Sequence, residues 1–157
     1  MTNEILGSRL EGSTLVVETQ AGETRYDCRF LIAALLIFVA RGSGSIEPEE
    51  SGKMIELIEE HFHMEGGESL ELLTHAMSEL ADNPSLGRLL AELGPKLSEH
   101  DKETIALMGL KVVAADGTRQ YSEMEQFNRA MEAVGVPPEI VHRAFDRYFA
   151  ETMPGGT

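Results

Sequence analysis

Phe30-Leu31-Ile32-Ala33-Ala34-Leu35-Leu36-Ile37-Phe38-Val39-Ala40 is an unbroken run of eleven apolar residues, and how it is read decides the fold. A membrane-spanning helix needs about 20 such residues. A secretory leader carries its apolar region near the start, behind a basic segment. Here 29 residues of mixed charge and strand-like pattern come first. The run therefore predicts a helix over 28–41, buried on all sides in a core.

Upstream, Thr14-Leu15-Val16-Val17-Glu18-Thr19 is short and β-branched, Gln20-Ala21-Gly22-Glu23 supplies a turn, and Thr24-Arg25-Tyr26-Asp27-Cys28 returns. This predicts a β-hairpin. Two strands alone are marginal in water. The hairpin must pack on the helices or pair edge to edge with a second copy, which would give a homodimer. Downstream the pattern is helical throughout. Gly42-Ser43-Gly44-Ser45 breaks the first helix, and Pro48 among Glu47, Glu49 and Glu50 opens a second that ends before Gly66-Gly67. Further helices are expected near 68–82, 85–93 and 99–116, the last capped by Ser98 and ended by Gly117. Ser122 with Glu125 reads as a capping box for a sixth, and a seventh covers 138–150. The expected fold is all-α: about seven helices in two pseudo-repeated halves over 30–150. A 1–29 hairpin extension precedes them and a frayed tail, 151–157, follows.

The repeat emerges on sliding the chain by 73 residues. Val39 meets Val112, Ser43-Gly44 meets Asp116-Gly117, Glu50 meets Glu123, and Leu57-Ile58 meet Ala130-Met131. Each half is an apolar helix, a glycine turn, then a helix that begins with acids. Two copies do not make a solenoid; they suggest two related halves about a pseudo-twofold axis.

Composition sets limits on function. Of 157 residues, 42% are apolar and 25% charged, ordinary for a folded globular chain. A net charge of −14 opposes nucleic acid and anionic membrane surfaces as partners. A single cysteine, Cys28, excludes an internal disulfide and a thiolate zinc site, and fits a reducing cytoplasm. Residues 47–71 hold nine glutamates and one lysine, a net of −8. Such a face is either plainly solvated or gathers cations and docks a basic partner.

The second corner carries the most chemistry. Val112-Val113-Ala114-Ala115-Asp116-Gly117 is followed by Glu123, seven residues past the aspartate. Asp116 falls at the C-terminal end of a helix, where the macrodipole disfavours a carboxylate by a few tenths to about 1 kcal/mol. Amides opening the next helix could offset this without metal. A hard cation shared among Asp116, Glu123 and Glu125, with carbonyls and water, could do so equally. Glu50 is the counterpart of Glu123 in the first half and completes the candidate ligand set. The turn is not an EF-hand: loop position six is Tyr121 rather than glycine, and position twelve is Phe127 rather than glutamate.

This stretch and the all-helical layout over about 30–150 resemble the TerB-like domain of tellurite-resistance and related stress proteins. The resemblance implies a helical bundle of two related halves, an association with resistance to tellurite and other stresses, and divalent-cation sites at acidic helix-turn-helix corners. Two departures stand out: Ser43 replaces the aspartate of the first half, and Arg119 replaces an aliphatic residue. The first weighs against a cation site of the family's pattern in that half.

Other chemistries are weaker. Glu60-x-x-His63 and Glu139-x-x-His142 have the spacing of di-iron bundles. The breaks at Gly66-Gly67, Pro84, Gly94-Pro95 and Gly117 forbid the four long helices such a site needs. No nucleophile signature surrounds Cys28, and no Gly-rich phosphate loop follows a strand. The expectation is a non-enzymatic cytoplasmic domain that binds a divalent cation and docks a protein partner; the alternative is an interaction or self-association module without metal.

Overall fold

The computed structural model describes residues 5–41, 46, 48–79, 85–115 and 121–152, with backbone alone at 66, 85, 121–123 and 152. Three antiparallel strands, β1 (Ile5–Glu11), β2 (Thr14–Thr19) and β3 (Gly22–Asp27), precede α1 (Cys28–Ala40) and α2 (Pro48–Phe62). Then come α3 (Gly66–Glu79), α4 (Ser85–Leu93) with a 3-10 turn over Gly94–Lys96, α5 (Glu99–Val113), α6 (Tyr121–Val134) and α7 (Pro138–Thr152).

The expected hairpin is present as β2 and β3, and β1 adds a third strand in the order β1-β2-β3. Leu15 and Val17 turn inward and are buried in the main core. Val16 points the other way yet is fully buried. Its cross-strand neighbours are Arg9 and Arg25, which pair with Glu11, Glu18 and Glu23 above it. Arginine stems thus cover the valine while their heads stay in water. The sheet is fastened to the helices at both ends of its chain. Ser8 donates to Glu92 of α4 and accepts from Lys96, and Asp27 caps α1 by accepting from the Arg29 amide at 2.9 Å.

The apolar run forms α1, in which nine residues from Leu31 to Ala40 are buried. α1 and α5 lie side by side at the centre. α1 carries α3 as α5 carries α7, and α1 touches α6 as α5 touches α2. That exchange of partners is the pseudo-twofold expected from the sequence. A shift of 73 superposes buried Val39 on Val112, Met54 on Phe127 and Ile58 on Met131.

Beyond the second helix of each half the shift becomes 72. His63 (φ 55) and Gly135 (φ 76), 72 apart, both end their helices in the left-handed region. Met64 donates to the Glu59 carbonyl and Val136 to that of Met131, the same closing bond in each. α4 and its 3-10 turn have no repeat partner. They pack on α6 and α1, and a Cβ on Gly94 would lie 1.8 Å from the Val134 carbonyl oxygen.

Helix limits differ from expectation at three places. α3 begins at Gly66 and is described to Glu79. α5 stops at Val113 with Ala114 as cap, three residues short of Asp116. α6 starts at Tyr121, so Ser122 lies inside its first turn rather than capping it. Ser98 caps α5 as expected, accepting from the Asp101 amide at 3.1 Å.

Candidate functional site

The two acidic corners lie where α1 hands over to α2 and α5 to α6. Pro48 opens α2, followed by Glu49 and Glu50 in the first turn. Glu49 is exposed, whereas Glu50 is fully buried. The helix N-terminus favours a carboxylate there by its dipole. Removing that carboxylate from water is costly unless donors or a cation compensate. Glu50 takes part in an interaction, and among the described residues no donor reaches its Oε2.

At the second corner, Asp116 lies outside the described residues, and Glu123 is placed by its backbone as the third residue of α6. Glu125 is exposed. One turn beyond position 123, Gln126 reaches across to α1, its amide nitrogen 3.4 Å from the Phe38 carbonyl. That contact brings the early part of α6 beside the end of α1. Among the described residues, no three His, Cys, Asp or Glu side chains come together in a group able to hold a metal ion.

The histidine pairs assemble no second centre. His63 lies past the end of α2 and is exposed. His142 is exposed too, and faces Asp146 on its own helix at 3.8 Å. Cys28 is half-buried at the start of α1, and burial, with Asp27 adding to it, pushes its thiol above the ordinary value. A thiol held in its neutral form suits packing rather than nucleophilic attack.

Sequence reasoning missed two features. The first is an ion-pair cluster between α5 and α7: Arg147 donates to Glu103 at 2.9 Å, and Arg143 sits 3.8 Å from both Glu99 and Glu103. Spacing of charges within one helix cannot reveal pairing between helices. The second is an apolar stripe on α3, where Leu70 is 54% and Met77 41% exposed. Helical spacing placed Met77 on the apolar stripe with Leu73 and Ala76, which are buried, and gave no signal that it would be exposed together with Leu70.

No helix among the described residues is long and apolar enough to cross a membrane. No curated protein matches the chain. The crystal structure of a protein of unknown function from Porphyromonas gingivalis W83 is similar in fold. Its TM-score is 0.56 at 20% identity, over 78% of this chain and 89% of that one. The sequence model of the family described as tellurite resistance protein TerB matches residues 29–146, from the first turn of α1 into α7. By that match, which spans most of its helical part, the chain belongs to the TerB family.

Proposed function

We propose that this chain is a non-enzymatic binding module of a tellurite, metal or general stress response in the cytoplasm. Its acidic corners hold a divalent cation, and the loaded domain docks a protein partner. The observation that carries the reading is the buried Glu50, at the repeat position of Glu123, where a carboxylate opens each second helix. A hard cation takes six to eight oxygen ligands. Asp116, Glu123, Glu125 and Glu50, with carbonyls and water, would supply them. The net charge of −14 raises the local cation concentration before any site is filled.

The test is calorimetric titration of the chelator-stripped full chain with calcium, magnesium, manganese and zinc. Binding of one cation that is lost in Asp116→Asn and in Glu50→Gln supports the reading. Wild-type protein that takes up none of the four overturns it.

A second reading, self-association without metal, draws on the sheet. Both β1 and β3 are edge strands, and Leu6 on β1 is 62% exposed. Unpaired strand edges invite pairing with another chain. Light scattering over a concentration series would then give a dimer mass that Leu6→Lys returns to monomer. A monomer at every concentration removes this reading.

A further inference from the structure

We propose that the outer face of α3 is the docking surface for a basic amphipathic helix of a partner protein. The proposal rests on the partner-docking half of the function above and is independent of the cation. Leu70, Thr74 and Met77 form one stripe at i, i+4 and i+7, the spacing by which a helix is recognised in a groove. Two of the four large apolar side chains exposed among the described residues lie on it. Beside the stripe runs a shallow cleft of ≈470 Å³, lined by Gly67, Leu70, Glu71, Thr74, His75 and Ser78. A Cβ on Gly67 would meet nothing within 4 Å, so the floor of the cleft is open at that end.

Charge selects the occupant. α3 contains no lysine or arginine, and Glu68, Glu71 and Glu79 are all exposed on it, with Glu65 exposed just ahead. Arg29 feels the charge of Glu68, but its main partner is Asp27 at 2.7 Å. A segment with apolar residues on one face and lysines or arginines along its margins matches both features.

The repeat supplies an internal control. At a shift of 72, Leu70, Thr74 and Met77 correspond to His142, Asp146 and Phe149 of α7. There the first two form a histidine–aspartate pair and the third stacks on Phe145. Glu71 corresponds to Arg143, which is directed at α5. The same architectural position thus carries a polar His142–Asp146 pair and an arginine in one half, and apolar and acidic side chains in the other.

The test uses the full chain in chelator at near-physiological salt. The probe is a fluorescein-labelled Lys/Leu amphipathic helix of about 18 residues, beside an equally charged control with serine for leucine. Anisotropy titration should show the leucine peptide binding at least about tenfold more tightly than the control. Leu70→Ser with Met77→Ser should remove that margin, and Phe149→Ser should leave it. A circular dichroism melt of each variant verifies the fold.

Equal binding of both peptides, or unchanged binding by the double variant, overturns the assignment to α3. Binding that resists the double variant but disappears in Leu6→Lys relocates the docking surface to the sheet. No binding of either peptide removes the basic partner altogether. A wild-type dimer that the double variant dissolves makes a second copy the occupant and overturns the proposal.

Discussion

Arg147 against Glu103 and His75 against Phe30 are the same contact made twice. Residues 147 and 75 are 72 apart on the third helix of each half, and 103 and 30 are 73 apart on the first. In the second half the pair is a hydrogen-bonded ion pair at 2.9 Å; in the first it is a ring contact with centroids 4.9 Å apart. Gly109 under Phe127 answers Leu36 and Met54 in the same way. A Cβ on Gly109 would fall 2.9 Å from the phenylalanine ring, whereas Leu36 and Met54 are both large and both buried. The duplicated frame fixes where helices meet and leaves the chemistry of each meeting free to diverge. What diverges most is polarity: ion pairs join α7 to α5 beside its apolar packing, whereas the matching contact of α3 with α1 is a ring pair.

The largest expected effect comes from the element that has no counterpart. Gly94→Ala drives a methyl into the Val134 backbone, where neither side can yield. It should cost about 3 kcal/mol or more, read as an early urea midpoint. Because α4 packs on both α6 and α1, a single transition should persist. Two separate transitions would mean the halves unfold independently, and the comparison would become one between two domains.

Next is the ion pair. Glu103→Gln leaves Arg143 and Arg147 without their shared carboxylate, which is only 15% exposed. A loss of about 1 kcal/mol, shrinking in high salt, is expected. His75→Ala should cost about half as much and show no salt dependence, since an aromatic contact is at stake. Equal salt dependence in the two variants would erase the contrast.

The helix ends sharpen it further. His63 bears a left-handed backbone that glycine adopts freely, so His63→Gly should stabilise by about 0.5–1 kcal/mol. Gly135→Ala should destabilise by a similar amount, about 1 kcal/mol, at the matching turn. Opposite signs from equivalent positions would establish that the first half tolerates strain which the second has relieved.

The smallest effect is on pH. Burial holds the His61 imidazole below its ordinary value, with Asp101 working against it. The unfolded chain therefore takes up the proton first. The contribution is present above the unfolded value of about 6.5 and is lost as pH falls below it. Urea midpoints at pH 7.5 and 5.5 should differ less in His61→Gln than in the wild type. The repeat places Val134 at this position, so the second half has nothing to titrate there.

Much of this was legible in the residues. The run 30–40 could only be buried all round, and glycines and prolines divided the helices nearly where they end. β1 was missed because Ile5-Leu6-Gly7-Ser8-Arg9-Leu10-Glu11 alternates poorly, with Leu6 exposed and Gly7 at a break in register. Its place follows from pairing with β2, a relation no local pattern states. The expected ligands fared unevenly for a similar reason. Glu50 was notable only as the echo of Glu123, and nothing in the spacing distinguished it from exposed Glu49 beside it. Neighbouring helix positions lie about 100° apart, so one of the two faces the core and the other solvent.

The change of offset from 73 to 72 also bears on how substitutions are transferred between the halves. One residue of slip turns a helix by about 100°. An ungapped comparison of α3 with α7 sets buried Leu73 beside exposed Asp146, and buried Ser69 beside exposed His142. Anyone grafting α7 residues into α3 by simple counting would place charges in the core. Dropping one position at the turn instead sets Leu73 beside half-buried Phe145 and Ser69 beside half-buried Val141, so the joint rather than the rods decides which residues may be exchanged.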